Sequence, residues 1–138
     1  MQTLNIEYAN YLLGFEWDAY YTQTFKNRRN DGYNATSACW SILENRLEWT
    51  RGFIAVEKHR LGGVHLHALL ANDLMDWGNT ARAISSQKKQ FRATKKYCDK
   101  AFGFSHIESA RNQATVSVYC TKYVTKSNGD YYFLGHWA

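Results

Sequence analysis

The chain has 138 residues, 45% of them hydrophobic, which is enough for one domain (residues 1–138) with its own core. No apolar run approaches a membrane span and the N-terminus lacks a charged-then-apolar signal, so no membrane partner is expected and the cytoplasm is the expected compartment. A net charge of +5 and a pI near 9.1 favour an anionic partner, nucleic acid first. Three widely spaced cysteines (Cys39, Cys98, Cys120) point to neither a disulfide framework nor a cysteine-based zinc site.

Residues 1–18 mix apolar and polar side chains without a clean period and carry no firm assignment. Residues 20–25 (YYTQTF) are rich in aromatic and β-branched types and predict a strand. It stops at a polar loop carrying Arg28 and Arg29 near the turn signal Asp31-Gly32. Thr36 or Ser37 is expected to cap a helix running to about Trp49, with Trp40, Ile42, Leu43 and Leu47 at helical spacing. Residues 53–58 and 64–70 read as buried strands joined through Arg60-Leu61-Gly62-Gly63, a hairpin. Residues 80–101 predict a long polar helix and residues 104–107 a short strand. Residues 113–126 follow, stopping at Ser127-Asn128-Gly129, and residues 130–134 form a last strand or docking tail. This order predicts an α+β fold, a central antiparallel sheet with helices packed largely on one face.

The second hairpin strand reads Val64-His65-Leu66-His67-Ala68-Leu69-Leu70. Residues two apart on a strand share a face, so both imidazoles leave it on one side, close enough for one metal ion. Glu57, on the neighbouring strand, is the acidic residue nearest at hand. A two-residue turn would put Glu57 on the other face, whereas an odd loop of three or five residues puts it across from His67 or His65. Two imidazoles and one carboxylate leave positions open to water and substrate, and an oxygen-rich outer sphere points to Mg²⁺ or Mn²⁺ in use, while the histidines also admit Zn²⁺, Co²⁺ or Ni²⁺ in vitro. His59 is a lesser candidate, to supplement or replace Glu57.

In Tyr119-Cys120-Thr121-Lys122-Tyr123-Val124-Thr125-Lys126, the two tyrosines and two lysines fall at i, i+3, i+4 and i+7, one face of a helix. Local β-branching favours a strand, but the Asn128-Gly129 stop and the cationic last turn favour a helix. A tyrosine hydroxyl with an ordinary pKa near ~10 is a poor nucleophile unless its developing anion is stabilised, and adjacent ammonium groups do that.

Taken together, these motifs resemble those of the HUH endonuclease superfamily, the rolling-circle replication initiators of small phages, viruses and plasmids and related transposases. The Thr22-Gln23-Thr24-Phe25 strand is similar to the first family motif. His65-Leu66-His67 matches the paired histidines, and Tyr119-x-x-Lys122, extended to Tyr123 and Lys126, matches the two-tyrosine initiators. Glu57 stands where many members place a third ligand. The resemblance implies an HUH-endonuclease domain of RRM- or ferredoxin-like type. It also implies a reaction: a divalent ion polarises a phosphodiester of single-stranded DNA at a replication origin, and a tyrosine attacks. The products are a 5′-phosphotyrosyl link and a free 3′-hydroxyl, and a second transfer rejoins ends. Tyr119 is the expected first nucleophile, Tyr123 a second nucleophile or support, and Lys122 and Lys126 the stabilisers of phosphate or phenolate charge.

No helicase motif accompanies these residues, so host replication proteins are expected to unwind DNA, in the cytoplasm of a host cell if the chain is viral. The pattern departs from the single-tyrosine transposases, which favours an initiator; a homodimer stays open. Lys88, Lys89, Arg92, Lys95 and Lys96, interleaved with Phe91 and Tyr97, form a basic helix suited to phosphate contacts. The rival from another class is a non-catalytic single-strand-binding module whose exposed aromatics, Tyr20 or Phe25, stack bases.

Overall fold

A run such as residues 64–71, apolar at nearly every position, is satisfied only where both faces of its strand are covered. In the computed structural model, which describes residues 3–119, 122 and 130–137, it is the central strand of the sheet. The elements in chain order are α1 (Thr3–Leu13), β1 (Ala19–Thr24), α2 (Gly32–Asn45), β2 (Arg51–Lys58) and β3 (Val64–Ala71). They continue with α3 (Ala81–Ala101), β4 (Ser105–Ser109), α4 (Gln113–Tyr119) and β5 (Tyr131–Gly135). One antiparallel sheet has the order β4-β1-β3-β2-β5. The fold is α+β, and no described helix is long and apolar enough to cross a membrane.

The helices divide between the two faces rather than gathering on one. On the first face Leu66, Ala68 and Leu70 of β3 pack with Ala35, Cys39, Trp40 and Leu43 of α2 and Cys98 of α3. On the second, Leu69 and Ala71 pack with Phe53 and Ala55 of β2, Ala9 and Leu12 of α1, and Val116 and Tyr119 of α4. The expectation of one covered face fails because α1 went unassigned. Its Ala9 and Leu12 are buried while Ile6 and Tyr11 stay exposed, so its apolar residues trace no single stripe.

Helix α2 also starts earlier than expected. Asp31, not Thr36 or Ser37, is its cap, accepting from the N–H groups of Tyr33 and Asn34 at 2.9 and 3.2 Å. Thr36 is instead a buried residue within the helix. The helix closes at Asn45, where the N–H groups of Arg46 and Leu47 turn back to the Ile42 carbonyl. Trp49, beyond it, is buried with its indole N–H on Thr94 Oγ1 at 3.0 Å. Helix α3 follows the expected span closely, with Thr80 as its cap, accepting from the Ala83 N–H.

Of the two side chains offered for base stacking, one is buried and the other half-buried. Tyr20 is buried and its ring lies 5.3 Å from that of Tyr119, while Phe25 packs edge-on against Phe102. Phe91 likewise lies against Trp49 and Trp77, and only Tyr97 of that pair is exposed.

Candidate active site

The site begins with the length of one loop. Lys58 pairs with Val64, so residues 59–63 form a five-residue connection, an odd number, and Glu57 lies directly across from His65. Gly62 and Gly63 both take left-handed conformations (φ 94° and 88°), which other residues adopt only with strain. The loop is closed by the His59 N–H on the Gly63 carbonyl and the Gly62 N–H on the His59 carbonyl.

His67, one pleat further along β3, reaches Glu57 diagonally, with Nε2 2.8 Å from Oε1. The His59 and His65 rings meet edge-on, their centroids 4.0 Å apart. Glu57, His59 and His65 each offer a donor atom, and these atoms lie within 4.8 Å of one another, a spacing that fits one ion. The expected trio of Glu57, His65 and His67 thus shares one face. The tight cluster, however, includes His59, with His67 joined through Glu57.

The bond from His67 holds the Glu57 carboxyl below the usual carboxylate range, outweighing its partial burial. Burial, and then the neighbouring His59, push the His65 imidazole below the ordinary histidine value. Burial does the same for His67, helped by the Lys122 ammonium and opposed by Glu57. At neutral pH these two imidazoles are therefore uncharged, the form that donates a lone pair to a metal.

Helix α4 crosses the same face. Its approach is anchored by Asp18, a buried carboxylate that accepts from the Asn72 N–H at 2.9 Å and pairs with Arg111. Burial pushes that carboxyl up, against the pull of Asn72 and Arg111. The Asp18 carbonyl also takes the Ala110 N–H, and the Asn112 side chain takes the Ala114 N–H at the start of the helix. Tyr119, 5% exposed, then donates its hydroxyl to the main-chain carbonyl of His67 at 2.7 Å. A cavity of about 210 Å³ opens beside it, lined among others by Thr22, His67, His106, Glu108, Tyr119 and Lys122.

Lys122 is exposed at the mouth of this cavity; Tyr123 and Lys126 lie outside the described residues. Lys88, Lys89, Arg92, Lys95 and Lys96 are not gathered with the site. They belong to α3, which packs beside α2 on the other face of the sheet. Four of the five are exposed, whereas Lys95 is engaged with Asp99, the Ser105 carbonyl and the Phe104 ring. His106 and Glu108, 3.5 Å apart, escaped the sequence reading although their alternation in Ser105-His106-Ile107-Glu108 places both on one strand face. No protein-family model, curated protein or solved structure matches the chain.

Proposed function

We propose that the chain is a metal-dependent, site-specific nicking and joining enzyme of HUH type, acting on single-stranded DNA to start rolling-circle-type replication. One observation carries this reading: α4 lies across the histidine face and brings the Tyr119 hydroxyl within 2.7 Å of the His67 carbonyl. A tyrosine nucleophile and a carboxylate–imidazole cluster are of use to phosphoryl transfer only when they adjoin, and His67 supports that reading by lining the cavity beside Tyr119 while bonding to Glu57 of the cluster.

Glu57, His65 and His67, with His59 beside them, would hold a divalent cation; when bound, such an ion supplies Lewis-acid polarisation of the phosphodiester. Tyr119 leaves its bond to the His67 carbonyl and attacks phosphorus. A bond forms from its phenolic oxygen to phosphorus, the bond from phosphorus to the 3′ oxygen breaks, and the leaving oxygen takes up a proton. The phenolic proton is lost to solvent, and the Lys122 ammonium at the cavity mouth stabilises the phenolate charge as it develops. The exposed cations of α3 are a separate contact for flanking DNA on the far face. Origin DNA and the host's replication proteins are the partners of this reading.

The test uses a pool of 3′-labelled single-stranded oligonucleotides with a randomised centre, incubated with Mn²⁺ or Mg²⁺ and resolved on a denaturing gel. The expected result is a protein-shifted labelled band that chelation abolishes. The same pool labelled at the 5′ end should give shortened, unshifted fragments. Binding of the pool without cleavage under either ion would instead identify a single-strand-binding module.

A further inference from the structure

Strand alternation carries the face of Glu57 past the end of β2 to His59, two residues on. His59 is not left to wander there. Its N–H donates to the Gly63 carbonyl at 3.1 Å and its carbonyl accepts from the Gly62 N–H at 3.0 Å, so its backbone is bonded on both sides. The loop is also tied to the segment between β1 and α2, because the Gly63 N–H donates to Asn30 Oδ1 at 2.7 Å. Arg28 covers both glycines so closely that a Cβ on either would meet its side chain at 3.3 or 3.2 Å.

So held, His59 stands edge-on to His65 with ring centroids 4.0 Å apart, and its donor atom falls within 4.8 Å of those of His65 and Glu57. Ligands placed about 2.0–2.3 Å from one ion lie roughly 3–4.5 Å from each other, so little movement separates this cluster from a coordinating set. His67 does not crowd it, since its Nε2 is engaged with Glu57 Oε1 at 2.8 Å. The result is a tight set of two imidazoles and one carboxylate, with a third imidazole, His67, bonded to that carboxylate. Such a set is far richer in nitrogen than Mg²⁺ accepts, and it suits Mn²⁺, Co²⁺ or Zn²⁺.

We infer that His59 is a direct ligand of the ion held by Glu57 and His65, and that it makes this centre selective for transition-metal ions over Mg²⁺. The inference rests on reading the cluster as a metal centre, and it moves His59 from a lesser candidate to a ligand beside Glu57 and His65.

Calorimetric titration of the full chain with MnCl₂ and MgCl₂, for wild type, His59→Ala and His65→Ala, tests it without reference to cleavage. Wild type should bind Mn²⁺ at least tenfold more tightly than Mg²⁺. His59→Ala should lose tenfold or more in Mn²⁺ affinity while its Mg²⁺ affinity stays within twofold. The visible spectrum of bound Co²⁺ separates ligand loss from an indirect loop effect, because its bands shift only when a donor leaves. Unchanged Mn²⁺ affinity and Co²⁺ bands in His59→Ala, with affinity lost in His65→Ala, would overturn the role of His59 and leave the metal centre standing. Equal Mn²⁺ and Mg²⁺ affinities would overturn the selectivity. A wild type that binds no divalent ion would overturn both this inference and the metal centre.

Discussion

Replacing Tyr119 with Phe separates what that residue does for the fold from what it does in the reaction. The ring is 5% exposed and stacks obliquely on Tyr20, and Phe keeps nearly all of that burial. What is lost is the hydroxyl and its bond to the His67 carbonyl, worth about 1 kcal/mol net. With an unfolding entropy of about 2.1 cal/mol/K per residue, that loss lowers the melting temperature of a chain this long by roughly 3–4 °C. Metal binding, which does not use the phenol, should be unchanged. Formation of the protein–DNA adduct should fall below detection on the denaturing gel at a temperature where the variant is fully folded. Tyr119→Ala, by contrast, also empties a buried aromatic site and should cost about 3–5 kcal/mol. The reasoning fails if Tyr119→Phe forms the adduct at the wild-type rate, which would give the chemistry to Tyr123. It fails equally if Tyr119→Phe loses as much stability as Tyr119→Ala, which would make the hydroxyl a fold element.

Three further substitutions probe the scaffold. Gly52→Ala places a Cβ 2.6 Å from the Trp40 ring within the α2 face of the core; urea unfolding should show a loss of about 1–3 kcal/mol from overpacking. Arg111→Ala leaves the buried Asp18 carboxylate with the Asn72 N–H but without its cation, and should cost about 2 kcal/mol. Because the Asp18–Arg111 pair anchors the approach to α4, adduct formation should slow in that variant even where circular dichroism shows it folded. For Asp99, burial pushes the carboxyl up, but the Ser105 hydroxyl and N–H and the Lys95 ammonium together hold it below the ordinary aspartate value. Its folded pKa being below the unfolded one, its contribution is complete above about pH 4 and fades as pH falls through the folded value. The stability gap between wild type and Asp99→Ala should therefore be largest near neutrality and narrow below pH 4 in denaturant titrations.

The features legible in the sequence are those set by short-range pattern. The alternation of His65 and His67 within an apolar run named a buried strand and its histidine-bearing side, and the polar residues from Thr80 onward named α3. Glu57 was legible only conditionally, since its face depends on how many residues the turn spends. That number is five because Gly62 and Gly63 both adopt left-handed conformations, a choice that Asn30, 33 residues from Gly63, and Arg28 support. Asp31 was misread because one residue can open a turn and cap a helix, and its neighbour Gly32 advertised only the turn. Gly32 is the first residue of α2, and Val56 explains why it is glycine, since a Cβ there would meet the Val56 side chain at 2.9 Å. The division of helices between the faces was beyond reach, since it depends on α1 docking beside α4 on the second face of the sheet. His59 was legible as a lesser candidate beside Glu57, and its place in the tight cluster follows from the same loop.

The position of β3 between β1 and β2 has a consequence for how the site breathes. His65 and His67 sit on a strand paired along both edges, so their main-chain amides exchange with deuterated water only when the sheet itself opens. Glu57 lies at the end of β2 and His59 in the loop beyond it, where opening is local and cheap. One half of the proposed ligand set is therefore as durable as the whole fold, and the other closes upon it from a loop with two left-handed glycines. An ion captured here should slow exchange most at residues 57–63 and scarcely at all at residues 65–70. That gradient would mark the hairpin tip as the route by which the ion enters and leaves.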